Sequence, residues 1–133
     1  MEARITPNHI SKLGLNQIFV FESNLPGMHS VGTALQALSF GAAMGRGIGL
    51  QGYTYAIPIK DYDAKNVLPL NTIQRYIDEF IQCAVENPQL TFLVTRIGCG
   101  FAGYTIKQIA SLFRDAVRYP NIHLPEDFWE VIN

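Results

Sequence analysis

The sequence predicts an α/β domain whose strands pair in parallel, with helices on both faces of the sheet. Three observations carry this. Strand-like and helix-like segments alternate along the chain, an order that favours right-handed crossovers between parallel strands. Residues 17–21 and 90–95 are near-continuous apolar runs of the kind found in buried central strands. Between them, Ile73, Tyr76, Ile77, Phe80, Ile81 and Ala84 recur at helical spacing and mark a helix over residues 71–86.

Residues 1–16 are polar and turn-rich, with Pro7, Asn8, Gly14 and Asn16, and read as an arm or short cap on a domain spanning residues 17–133. The first strand stops at Glu22, and Pro26-Gly27 marks a turn. Residues 31–43 are small and apolar almost all round, which predicts a buried helix. The glycines at 41, 45, 47, 49 and 52 exclude helix and predict an irregular connection, since each costs about 1 kcal/mol against alanine there. Residues 53–57 read as a strand ended by Pro58. Asn71 and Gln74 have the spacing of a capping box for the long helix, which Asn87-Pro88 ends. Residues 98–104 are a glycine-rich loop. Thr105 and Gln108 form a second capping-box pair, opening a helix with Ile109, Leu112, Phe113, Ala116 and Val117 on its apolar face. Pro120 ends it, residues 121–124 form a short strand, and Pro125-Glu126-Asp127 opens a terminal helical turn.

The chain has 133 residues, 48% of them hydrophobic and 16% charged, with a net charge of −1. That length suits one domain with its own core. No basic run points to duplex DNA or an anionic membrane. No stretch approaches the ~18–20 apolar residues that span a bilayer, and no signal-peptide run opens the chain. Cys83 and Cys99 lack CxxC spacing, which fits a reducing cytoplasm. His9, His29 and His123 have no metal-ligand spacing, so no metal is expected.

Ligands of open α/β sheets sit at the carboxyl ends of the strands. Two strands here run into glycine-containing loops that lead to helices, and such junctions offer backbone N–H groups to anions. The first loop runs from Glu22 through Ser23, Asn24, Gly27 and His29 to Gly32. The second is Gly98-Cys99-Gly100-Phe101-Ala102-Gly103. Neither matches the GxxxxGK[ST] phosphate loop or the GxGxxG dinucleotide fingerprint.

These two loops carry a family resemblance. Val20-Phe21-Glu22-Ser23-Asn24 is similar to the strand end that reads Asn-Ala-Ala-Asn in macro domains. Gly98-Cys99-Gly100-Phe101-Ala102-Gly103-Tyr104 resembles their second loop, Ser-Thr-Gly-Ile-Phe-Gly-Tyr. Together with Leu50-Gln51-Gly52, Tyr55-Ala56-Ile57-Pro58 and Val94-Thr95-Arg96-Ile97, they resemble a compact bacterial and phage-associated macro-domain-like family over about residues 17–125. The resemblance implies a single three-layer α/β/α fold with a mixed, mainly parallel sheet, and a protein that binds ADP-ribose or a related phosphorylated nucleotide. It implies that Asn24 contacts the distal ribose. Gly98, Cys99, Gly100 and Phe101 wrap the diphosphate, with Gly103 in the same loop, and Phe101 or Tyr104 shields the ribose. His29, Val31 and Gly32 line the facing loop. The chain departs from the family at Glu22, where glycine is usual, at Ser30, and at Thr33, which stands where many ADP-ribosyl hydrolases have aspartate. The acidic residue that reads adenine has no match. A hydrolase and a scaffold that has lost its ligand are therefore the alternatives to a binding module, and no catalytic residue is assigned.

Four side chains carry two readings each. Lys60 neutralises a phosphate or forms a solvated pair with Asp61. Arg96 is a fork for phosphate or carboxylate, or an ion pair with Asp61 or Glu22. Cys99 is a nucleophile with His29 as base, or a small residue in a packed loop. Trp129 anchors the C-terminal turn or meets a partner.

Overall fold

The computed structural model describes residues 4–100 and 102–133. Phe101, expected above to line the ligand, lies outside the described residues. Five strands form one sheet: β1 Gln17–Asn24, β2 Gly49–Gln51, β3 Thr54–Lys60, β4 Thr91–Val94 and β5 Ile122–His123. Their order in space is β2-β3-β1-β4-β5. β1 runs parallel to β3 and β4, β4 runs parallel to β5, and β2 alone is antiparallel to its neighbour. The helices are α1 Gly32–Leu38, α2 Leu70–Glu86, α3 Ile106–Ala110 and α4 Glu126–Ile132, with a tighter 3-10 helix, Ser111–Arg118, continuing α3. This is a three-layer α/β/α fold on a mixed, mainly parallel sheet. None of these helices is long and apolar enough to cross a membrane.

The apolar run of β1 serves both faces, because successive side chains of a strand point to opposite sides. Ile18 and Val20 join Ile57, Phe92 and Val94 against α2, the 3-10 helix and α4, in a core filled by Ile73, Phe80, Phe113 and Phe128. Phe19 and Phe21 point the other way. They meet Ala56, Leu93, Ile10 and the small residues Ala34 and Ala37 of α1 in a thinner layer. The α2 periodicity is matched by burial of Ile73, Ile77, Phe80, Ile81 and Ala84.

Several boundaries differ from the sequence reading, each for a reason. β1 continues through Glu22, Ser23 and Asn24 because β3 supplies partners as far as Lys60. Pro58 lies inside β3. β2 reaches only Thr54–Ala56, so beyond it Pro58 meets no strand needing a ladder N–H. The glycine-rich connection contains β2, which the sequence reading missed. α1 spans seven residues rather than thirteen and is one-sided, with Val31 at its N-cap 72% exposed. The helix after Thr105 tightens into 3-10 geometry at Ser111, and Val117 is exposed. α2 starts on Pro69, with no side-chain cap. Gln74 instead donates to Leu112 O at 2.9 Å and to Asp78 at 3.0 Å. The Thr105–Gln108 capping box forms with both of its bonds.

The arm is laced to the sheet. Ile5 bridges Leu124 beside β5, Thr6 N donates to Leu124 O, and Leu124 N donates to Arg4 O. The Arg4 guanidinium reaches four carbonyls, those of Ala116, Val117, Tyr119 and Ile122, at 2.6–3.1 Å. A cation suits this position at the end of a helix, where carbonyls lack partners. The guanidinium also lies 4.9 Å from the Trp129 ring centre, and Trp129 Nε1 donates back to Arg4 O. Trp129 therefore ties α4 to the arm.

Candidate ligand site

Parallel pairing brings the ends of β1, β3 and β4 to one edge, and the two glycine-containing loops meet there. Among the described residues, one hydrogen bond joins them: Glu22 Oε1 accepts the backbone N–H of Gly98 at 2.7 Å. The sequence reading set Glu22 against a phosphate. In the fold its carboxylate is turned onto the second loop and holds that loop's first glycine. Gly98 suits the bond, with φ +74°, and a Cβ there would lie 2.7 Å from Ile109 Cδ1. Tyr104 N donates to Gly98 O, and the Tyr104 hydroxyl donates to Leu68 O at 2.6 Å, so the far end of the loop is pinned to the α2 side. Gly103 N donates to Gly100 O. Among the described residues, the backbone N–H groups of Cys99 and Gly100 have no acceptor.

In the first loop, the Asn24 amide is taken up internally. Its Oδ1 accepts Met28 N at 2.8 Å and its Nδ2 donates to Met28 O at 3.1 Å. Asn24 thus shapes the loop that it was expected to help read. Val31 and Gly32 are exposed beside it. His29 is 1% exposed and packs edge-on against Phe21, beneath the α1 layer. Its Nε2 donates to Arg46 O, which leaves Nδ1 buried with no partner among the described residues. Lys60 ends β3 in register with Asn24, so it stands at the same edge. α1 and α3 have seven and five residues, and Thr105 Oγ1 already accepts Gln108 N. The groups this edge offers to an anion are therefore loop amides and side chains rather than helix ends.

Arg96 has a different partner from the two expected. Its Nε donates to Asp127 Oδ2 of α4 at 3.0 Å, and it pairs with neither Asp61 nor Glu22. Asp61 instead accepts Asp63 N in the turn after β3. Arg96 also borders a hollow of about 200 Å³ between the arm and α1, lined by Thr6, His9, Phe19, Thr33 and Thr95.

Cys99 and His29 do not form a nucleophile and base. Cys99 packs toward the α2 core and His29 toward the α1 layer, on opposite faces of the sheet. Burial, with Asp127 and Glu22 adding to it and Arg96 opposing, pushes the Cys99 thiol up to about 11. The thiol donates to Ile97 O at 3.4 Å. At pH 7.5 its thiolate fraction is on the order of 0.03%. Alkylation of Cys99 by iodoacetamide, followed by mass spectrometry, is expected to run at least tenfold slower than that of a free cysteine peptide. A rate matching the peptide would contradict the burial of this thiol. No group of three or more His, Cys, Asp or Glu side chains is arranged to hold a metal ion among the described residues.

No family model, curated protein or solved structure matches the chain.

Proposed function

We propose that the protein is a macro-domain-like binding module for ADP-ribose or another phosphorylated nucleotide. The observation that carries this reading is the Glu22–Gly98 bond, which joins the two loops at the carboxyl edge of the sheet. It fixes one carboxylate oxygen and leaves Oε2 to accept from a ribose hydroxyl. The Cys99 and Gly100 amides are the donors for phosphate oxygens, with Lys60 as the cation nearest the first loop's end. The hollow beside Arg96 has room for a base or a sugar. The motif resemblance of residues 98–104 supports the same assignment. The protonated Cys99 thiol and the separation of His29 from it favour binding over turnover.

Calorimetric titration with ADP-ribose, ADP and NAD tests this. ADP-ribose is expected to bind, more tightly than ADP, because the second ribose engages Glu22. Absence of heat from all three at millimolar ligand overturns the reading. One observation favours a ligand-free scaffold as the second reading: both polar atoms of the Asn24 amide already have partners in its own loop. That scaffold gives no heat with any of the three ligands.

A further inference from the structure

Between Glu22 and Lys60 the only charged residue is Arg46. The chain's 16% charged fraction would place about six in a stretch of that length. This segment builds α1, the glycine-rich connection and β2, and it is not hidden. Met28, Leu35, Met44, Ile48, Leu50 and Tyr53 are all exposed, Met44 by 59% and Tyr53 by 64%. The pieces carrying them are stitched side by side. Gly45 N donates to Gly27 O, and Tyr53 N donates to Phe40 O. Leu50, in register with Tyr55, points to the α2 side of the sheet, while Leu35 projects from α1 on the other side, so the six lie on both flanks of the β2 edge. Taking ~200 Å² for each free side chain, they expose on the order of 600 Å² in total. A standard interface buries ~800 Å² per partner, so an edge contact that takes in both flanks and their polar margin reaches that size.

The edge of the sheet supplies the geometry. Among the described residues, β2 has a neighbour on one side only. It joins β3 through the two-residue turn Gly52-Tyr53, with Gly52 at φ +59°. In such a hairpin the closing pair, here Gln51 and Thr54, takes the ladder bonds, so the next residue, Leu50, turns its N–H and C=O outward. The Arg46 guanidinium reaches Leu50 O only at 3.5 Å, the outer limit of a hydrogen bond. The shortness of β2, three residues, is the guard this edge has; it carries no lysine or proline.

We infer that β2 pairs antiparallel with β2 of a second copy of this chain, across a twofold axis, and that the exposed apolar side chains flanking this edge on both sides of the sheet form the dimer interface. A self-copy fits because an antiparallel edge is self-complementary and an almost uncharged face meets its twin without repulsion. The one like-charged pair, Arg46 with its counterpart, is long and flexible enough to turn aside.

Sedimentation and light scattering from ~10 to ~500 µM read the result, since assembly follows concentration. The expected species has twice the 14.8 kDa chain mass. Ile48→Lys with Leu50→Lys is expected to give a monomer, and Tyr53→Lys alone to weaken the dimer at least tenfold. Both variants should keep the wild-type circular dichroism, since these side chains are exposed. In the wild-type dimer, hydrogen exchange at the Leu50 amide is expected to slow at least tenfold. A monomer at the highest concentration overturns the inference, whether or not another protein uses the face. So does a dimer that survives both lysines, or a dimer in which Leu50 exchanges as fast as in the monomer.

Discussion

Arg4→Ala is expected to lower the melting temperature by about 10 °C. The guanidinium meets the carbonyls of Ala116, Val117, Tyr119 and Ile122 and stacks on Trp129. Hydrogen bonds to a charged group contribute ~1.5–3 kcal/mol each at most, and several on one side chain are not additive. A net loss of about 3 kcal/mol is expected, because the carbonyls ending the 3-10 helix lose their donor while Trp129 loses its cation. In a domain of this size about 3 kcal/mol corresponds to ~10 °C. Arg4→Lys keeps the charge but not the planar fork, and should recover less than half. Thermal unfolding followed by circular dichroism measures both. A shift under ~2 °C for Arg4→Ala would mean that the carbonyls are solvated equally well without it.

Glu22→Ala is expected to destabilise the fold by about 2 kcal/mol, because it leaves the part-buried Gly98 N–H without an acceptor. Glu22→Gln keeps an oxygen for that N–H, so its cost should stay under ~1 kcal/mol. The two variants separate architecture from recognition. If Oε2 accepts from a ribose hydroxyl, Glu22→Gln should weaken ADP-ribose binding by roughly tenfold while the fold persists, about 1.4 kcal/mol. Tighter binding by Glu22→Gln would instead put a phosphate against this carboxylate. Urea denaturation and calorimetry on the same preparations supply both numbers.

What the sequence made legible was local or periodic. The helical spacing of Ile73 to Ala84 and the Thr105–Gln108 box involve neighbours along the chain, and both are present. The apolar runs placed β1 and β4 at the centre of the sheet. What stayed hidden depends on partners brought together by folding. Gln74 left its capping box for Leu112 O, 38 residues away. Arg4, which no motif or periodicity singles out, binds carbonyls more than 110 residues away. β2 is three residues long and rich in glycine, so only its neighbour β3 makes it a strand. At the candidate site, the second loop was recognised from its glycines. The role of Glu22 was not, because its partner is a backbone N–H, which leaves no mark in a sequence. Arg96 was seen as a charge seeking a partner, but its choice of Asp127 required α4 to dock.

The contact between Arg4 and Trp129 closes almost the whole chain into a ring. Closing a flexible loop of that length costs roughly 4 kcal/mol in chain entropy, a cost met only once the intervening sheet and helices are in place. The latch is therefore expected to form last, after the folding transition state. Interactions of that kind leave the folding rate almost unchanged and act on the unfolding rate. Arg4→Ala is therefore expected to speed unfolding in stopped-flow measurements and leave the folding rate nearly unchanged, so that this contact lengthens the life of the native state.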